Sequence, residues 1–176
     1  MKIIKIYSLC AFMLLLFDIN PLMAQRGTYL QGIEYNSFVI KKGNSEGVKL
    51  GDAAGSIVQK FGTPTLSEPY YYEIGQKMAK IIKYGENNFF EADGKFDGFT
   101  ITSNLFLLGM NGNYIKVGDN FNKVKALFAD AHKYQEGNTF YIPLLYNGKP
   151  VEGTYLIIAL QPQTYEIETI MQWEAG

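Results

Sequence analysis

The chain carries a weak copy of itself. At an offset of 67 residues, Gly47-Val48-Lys49-Leu50-Gly51-Asp52 answers to Tyr114-Ile115-Lys116-Val117-Gly118-Asp119. The match runs on through Ile57 with Val124 and Phe61 with Phe128, and upstream Phe38-Val39-Ile40 lines up with Leu105-Phe106-Leu107. The identical pairs are Asn44/Asn111, Lys49/Lys116, Gly51/Gly118, Asp52/Asp119 and Phe61/Phe128. Self-similarity at a fixed offset points to one supersecondary unit built twice. Any fold for this chain has to place two such units side by side.

In each copy an apolar strand (38–40; 105–108) leads through a Gly/Asn turn to a Gly-Asp pair. An aspartate there can accept hydrogen bonds from the free N–H groups of a helix's first turn, and its charge suits the positive helix end. Asp52 and Asp119 are therefore expected as helix caps, with helices over 53–61 and 120–128. Ile57 and Phe61 then share a face at i, i+4, and Phe121, Val124 and Phe128 share one at i, i+3, i+7. Stripes this short do not hold a helix alone, so both must dock on a sheet. Gly62 and Pro64 end the first helix.

Strands are predicted at 70–74, 79–84, 88–92 and 95–102, and again at 139–146, 153–161 and 165–173. Asp93-Gly94 and Asn147-Gly148 read as tight hairpin turns, because both central residues must tolerate positive φ. Pro162-Gln163 marks another turn. In the last strand, alternation puts Tyr165, Ile167, Thr169, Met171 and Trp173 on one face and Glu166, Glu168, Ile170 and Gln172 on the other. The expected fold class is α+β, with two tandem repeats at 38–104 and 105–176, each a short helix packed on an antiparallel β-sheet. A half of about 70 residues without cysteine is marginal alone, so the two should share one body.

Lys2 and Lys5, an apolar run over 6–17 and Ala24 read as a cleaved signal peptide at 1–24. The apolar run falls short of the roughly 20 residues that span a bilayer, and Asp18 and Pro21 break it. No membrane span is expected. Cys10 lies inside the run rather than after it, so lipidation is not expected either. The mature protein is expected to be periplasmic or secreted. Residues 25–37 show little apolar periodicity and are expected as a flexible N-terminal segment.

Removing Lys2, Lys5 and Asp18 with the signal leaves 14 basic and 16 acidic residues, a net charge of −2. That is no footprint for nucleic acid. No thiol remains once Cys10 leaves, which excludes disulfides, a cysteine nucleophile and thiolate metal sites. His132 is the one histidine. It follows the second predicted helix, where a solvated imidazole is favoured by the helix terminus, and it leaves an acyl-transfer triad or a multi-histidine metal site without partners. Glu91 with Asp93, Asp93 with Asp97, and Glu166 with Glu168 are the acidic pairs that glycoside hydrolysis would need. They read as solvated strand faces and a turn. Gly51 and Gly55 lack the Lys-Ser/Thr ending of a phosphate loop. The expectation is no enzyme, no cofactor and no metal.

Aromatic residues are the better lead. The mature chain keeps 12 Tyr, 10 Phe and one Trp. Tyrosine offers large contact area at low rotamer entropy, which favours interfaces. Tyr70, Tyr71, Tyr72, Phe89, Phe90 and Trp173 are the candidate binding residues. The bland alternative is that sheets use such tyrosines as edge and half-buried residues, and that Trp173 continues an apolar face with Met171. Of Phe89 and Phe90, one ring should enter the core and the other face out.

The string Leu-Gly-Asp, helix, Phe-Gly-x-Pro over 50–64, followed by strands with the turn Ala92-Asp93-Gly94-Lys95, resembles the β-lactamase-inhibitor-protein-like fold and the related SmpA/OmlA-type outer-membrane lipoproteins. The tandem arrangement, over roughly 35–174, is more similar to the inhibitor. The chain departs from these relatives in lacking both disulfide cysteines and a lipidated cysteine. The resemblance implies a binding module whose sheet face meets a protein. Three other readings stay open: an envelope-assembly or structural component, a carboxylate-dependent hydrolase, and a small-ligand binder with its cleft between the halves.

Overall fold

The computed structural model describes residues 32–72 and 76–174, with the side chains at 131, 132, 173 and 174 excepted. The expected signal segment 1–24 lies outside the described residues. Of the segment 25–37, the described part from Gly32 forms a short strand and a turn.

Strand follows strand through most of the chain. The strands are β1 (Ile33–Glu34), β2 (Val39–Lys42), β3 (Leu66–Tyr72), β4 (Lys77–Tyr84), β5 (Asn87–Ala92), β6 (Lys95–Ile101), β7 (Phe106–Met110), β8 (Asn113–Ile115), β9 (Gln135–Glu136), β10 (Thr139–Tyr146), β11 (Lys149–Leu160) and β12 (Ile167–Glu174). Two short helices interrupt them, α1 (Ser56–Phe61) and α2 (Phe121–Leu127), with a 3₁₀ turn at Ala131–Tyr134. The tight turns set the meander. Asp93-Gly94 and Asn147-Gly148 take positive φ at both central residues (51° and 74°; 53° and 74°). That is the backbone twist that matches two right-twisted strands.

A nine-stranded sheet runs in the order β1-β10-β11-β12-β6-β5-β4-β3, with β9 paired to β10. All its ladders are antiparallel except β1 with β10. A separate three-stranded sheet runs β2-β7-β8. The small sheet and both helices pack on one face of the large sheet. Phe61 of α1 lies 5.6 Å from Phe89 of β5 and 5.3 Å from Phe106 of β7. Phe38 meets Phe99 of β6 at 5.9 Å, and Phe121 of α2 stacks on Phe140 of β10 at 5.1 Å. These residues belong to one contiguous core.

The structure corrects the expected fold class. The described residues are 54% strand and 11% helix, so the protein is mainly β rather than two helix-on-sheet repeats. Strands assigned to separate halves pair with each other: β2 with β7 over Val39↔Gly109 to Lys42↔Phe106, and β6 with β12. A strand edge left open by one half is thus closed by the other, which is how a sheet avoids exposed edges.

Asp52 and Asp119 are not helix caps. Each carboxylate Oδ2 accepts from the backbone N–H three residues earlier, Lys49 and Lys116, both at 3.0 Å. The turns so closed grip a strand. Gly51 N donates to Phe96 O while Phe96 N donates to Asp52 O, and Gly118 N donates to Ile167 O while Ile167 N donates to Asp119 O, all at 2.8 Å. Gly51 and Gly118 both sit at φ 87°, where a Cβ is penalised. The helices begin later for this reason. Ala53 is held in a bridge to Lys95, and α1 starts only after Gly55, whose N–H donates to the buried Glu91 carboxylate at 2.5 Å. In α2 the cap is Asn120, whose side chain accepts from Asn122 N at 3.1 Å.

The expected one-face stripe of the last strand is also corrected. Ala159 pairs with Thr169 but Leu160 pairs with Ile167, so Glu168 is an extra residue. Ile167 and Ile170 therefore both enter the core, and Met171 moves to the opposite face. Asp97 is the corresponding extra residue on β6, since Phe90 pairs with Gly98 and Glu91 with Phe96. Phe96 and Phe99 are both fully buried as a result.

Candidate functional site

Directly paired residues share a sheet face, as do residues two apart on a strand. Applied to the ladders, this rule defines the face turned away from the core. Tyr70 pairs with Ala79, and two residues on Ile81 pairs with Phe90, which pairs with Gly98. Thr100 pairs with Met171, Met171 with Ile157, and Ile157 with Tyr141. The face runs without a break from β3 to β10. Among the described residues no helix or second sheet packs on it, because the core contacts of α1, α2 and the small sheet are all on the other side. Two aromatic pairs stand on it, Tyr70 with Phe90 at 5.6 Å and Tyr141 with Tyr155 at 6.3 Å.

A groove of about 280 Å³ opens in this face beside the first pair, lined by Tyr70, Tyr72, Phe90, Thr100 and Met171, with Lys77, Asp97 and Gln172 among its polar residues. Lys77 Nζ lies 3.2 Å from Asp97 and 3.4 Å from Asp93. Burial alone would lower its pKa. The hydrogen bonds and charges of Asp97 and Asp93 outweigh that and hold it above the ordinary lysine value. The groove thus has aromatic walls and a fixed ammonium–carboxylate group on its rim.

The structure divides the residues singled out by sequence. Tyr70, Tyr72 and Phe90 come together on the open face. Tyr71 lies on the opposite face, paired with Met78, where the β3–β4 hairpin extends past the core and leaves them 53% and 61% exposed. Phe89 is fully buried among Phe61, Tyr84, Phe96 and Phe106, and is a core residue. Trp173 lies opposite Tyr155 in the ladder, and its side chain lies outside the described set, as does that of His132. Sequence reasoning missed Met171, Ile157, Tyr141 and Tyr155. For Tyr141, Tyr155 and Ile157 the signal is the alternation along β10 and β11, and for Met171 it is the alternation along β12, readable once the Glu168 bulge is known.

The acidic pairs are dispersed over different tasks. Glu91 holds Gly55 N and lies 3.8 Å from Lys80; Asp93 and Asp97 hold Lys77. Glu166 is 3.4 Å from the Thr164 hydroxyl, and Glu168 is exposed at its bulge. Among the described residues no group of three or more His, Cys, Asp or Glu stands placed to hold a metal ion, and no helix is long and apolar enough to cross a membrane. No protein-family model matches the chain, and neither a curated protein nor a solved structure matches it.

Proposed function

We propose that this chain is a non-enzymatic protein-binding module, secreted or periplasmic, that docks its partner on the open face of the nine-stranded sheet. The observation that carries the reading is the continuous sheet face, with an aromatic pair on β3–β5 and another on β10–β11, on which no described element packs. Binding energy at such faces concentrates in a few aromatic anchors around a pocket. Tyr70, Tyr72 and Phe90 supply the anchors, the groove takes a large apolar side chain of the partner, and the Lys77–Asp97 pair forms a polar rim. The signal-like pattern at 1–24 motivates the compartment, and the resemblance to inhibitor-like modules implies the same use of a sheet face.

The test is capture from envelope and secreted fractions with residues 25–176 as bait. Tyr70→Ser combined with Tyr72→Ser changes the open face, and Tyr71→Ser changes the opposite face of the same strand. Each variant is first shown to be folded by circular dichroism. A partner retained by the parent and by Tyr71→Ser but lost by the double variant supports the reading. A partner lost with Tyr71→Ser and kept by the double variant sinks it.

A further inference from the structure

We propose that the junction of β6 and β12 holds a second site, for a small hydroxyl-rich ligand of one or two sugar rings. The two strands are paired at two positions only, Ile101↔Ile170 and Thr100↔Met171. Where the ladder ends, a cavity of about 860 Å³ is walled by the turn at 34–37, the Gly-Asp turn at 49–52, the start of β6, the β10–β11 hairpin tip and two side chains from β11 and β12, Thr154 and Gln172. It shares only Asp97 and Gln172 with the aromatic groove. Its volume suits a small-molecule site.

The lining selects the chemistry. Its carboxylates are already engaged: Glu34 by Gly148 N at 2.7 Å, Asp52 by Lys49 N at 3.0 Å and Asp97 by Lys77 at 3.2 Å. An anion would face all three, and the exposed Lys49 and Lys95 of the same lining nearly cancel their charge, so the lining draws in no net charge of either sign. An apolar ligand would strand the amides of Asn36, Asn147 and Gln172, which is costly where water is excluded. A side-chain amide presents a donor and an acceptor side by side, and adjacent sugar hydroxyls match that pair. Tyr146, 65% exposed at the hairpin tip, offers a ring for the apolar face of a sugar.

Thr154 adds a second, independent observation. It is 4% exposed, forms part of the cavity wall, and its Oγ1 has no hydrogen-bond partner. Buried hydroxyls are nearly always satisfied, so one left alone calls for a reason. A step between χ1 wells re-aims its hydroxyl, and a ligand in the cavity it lines would supply the partner it lacks.

The test is thermal unfolding of the full chain with glucose, galactose, N-acetylglucosamine and maltose as probes, and citrate as the anionic comparison. At tenfold above its dissociation constant, a bound saccharide should raise Tm by about 3–6 °C. Thr154→Val should leave the free protein's Tm unchanged or higher, since it deletes an unsatisfied buried group, yet weaken saccharide binding by about tenfold. Tyr146→Ser should weaken binding with little change in the free protein. Tyr70→Ser with Tyr72→Ser should bind saccharide at parent affinity, which separates this site from the sheet-face reading. The proposal is overturned if no saccharide shifts Tm, if citrate alone does, if Thr154→Val binds as the parent does, or if that variant lowers the free protein's Tm.

Discussion

The two Gly-Asp turns have the same geometry and different burial, which allows a comparison within one molecule. Asp119 is buried; its Oδ2 accepts from Lys116 N at 3.0 Å and its Oδ1 lies 2.7 Å from Lys123 Nζ. The Asp52 side chain keeps about a third of its surface in water, accepts from Lys49 N at the same 3.0 Å, and meets Lys60 only at 3.9 Å. Asp119→Ala removes a charge-assisted bond to a half-buried amide, about 1.5–3 kcal/mol. The Lys123 pair adds a few tenths, about 0.3–0.5 kcal/mol, because the lysine is mostly solvated. The expected loss is about 2–3 kcal/mol. For Asp52→Ala, water replaces the carboxylate at Lys49 N, and the loss should be about 1 kcal/mol. Asp119→Asn, which keeps an acceptor, should recover most of the first loss. Urea unfolding followed by circular dichroism measures all three. Equal losses for the two alanine variants would show that burial does not set the strength of these turns, and an asparagine variant as unstable as the alanine one would show that the hydrogen bond does not.

Other substitutions separate core from surface. Phe89→Ala opens a cavity among four aromatic rings and should cost about 3–5 kcal/mol, whereas Tyr71→Ser on the overhanging hairpin should change stability by less than about 0.5 kcal/mol; the same unfolding curves distinguish them. Gly51→Ala has open space for its Cβ but must hold φ 87°, so a loss of about 1–2 kcal/mol is expected from backbone strain alone. Tyr84 is raised above the ordinary tyrosine pKa by burial and by the Glu91 charge, and its hydroxyl donates to Gly62 O at 2.7 Å. A folded pKa above the unfolded one gives stability that is whole below about pH 10 and is lost as pH rises through the folded value; the raised Lys77 acts with the same sign. Urea midpoints should therefore fall as pH rises above about 10, and Tyr84→Phe should flatten that fall while costing about 1 kcal/mol at neutral pH.

What was legible in the sequence was local. Asp-Gly and Asn-Gly between alternating runs locate hairpins because the turn chemistry acts over two residues. The fold class was not legible, because a repeat suggests self-contained units while nothing local encodes that β2 joins β7 or that β6 joins β12. The Gly-Asp pairs were misread as caps because the same aspartate can serve the turn behind it or the helix ahead of it, and a bridge such as Ala53 to Lys95 decides between them. The face of Tyr70 and Tyr72 was open for a similar reason: alternation separates them from Tyr71 but does not say which side is core. Met171 and Tyr141 join that face only through the β6–β12 ladder. Thr154 has no sequence signal at all, since an unsatisfied hydroxyl is a property of its surroundings.

The two bulges connect these observations. Asp97 and Glu168 lie on β6 and β12, the two strands that meet at the junction, and each inserts one residue just where a Gly-Asp turn grips the strand at Phe96 or Ile167. An extra residue lets both flanking apolar side chains stay inward, Phe96 with Phe99 and Ile167 with Ile170, while bending the strand and raising its twist. Such bending shortens a ladder, and β6 and β12 are paired at two positions only. The residues beyond that pairing wall the cavity on one side of the junction and the aromatic groove on the other, with Asp97 and Gln172 in both. The Gly51-Asp52 turn, which grips β6 at Phe96 beside the Asp97 bulge, therefore walls the cavity itself, whereas the Gly118-Asp119 turn holds β12 at Ile167, at the other end of the short ladder, and lines neither site.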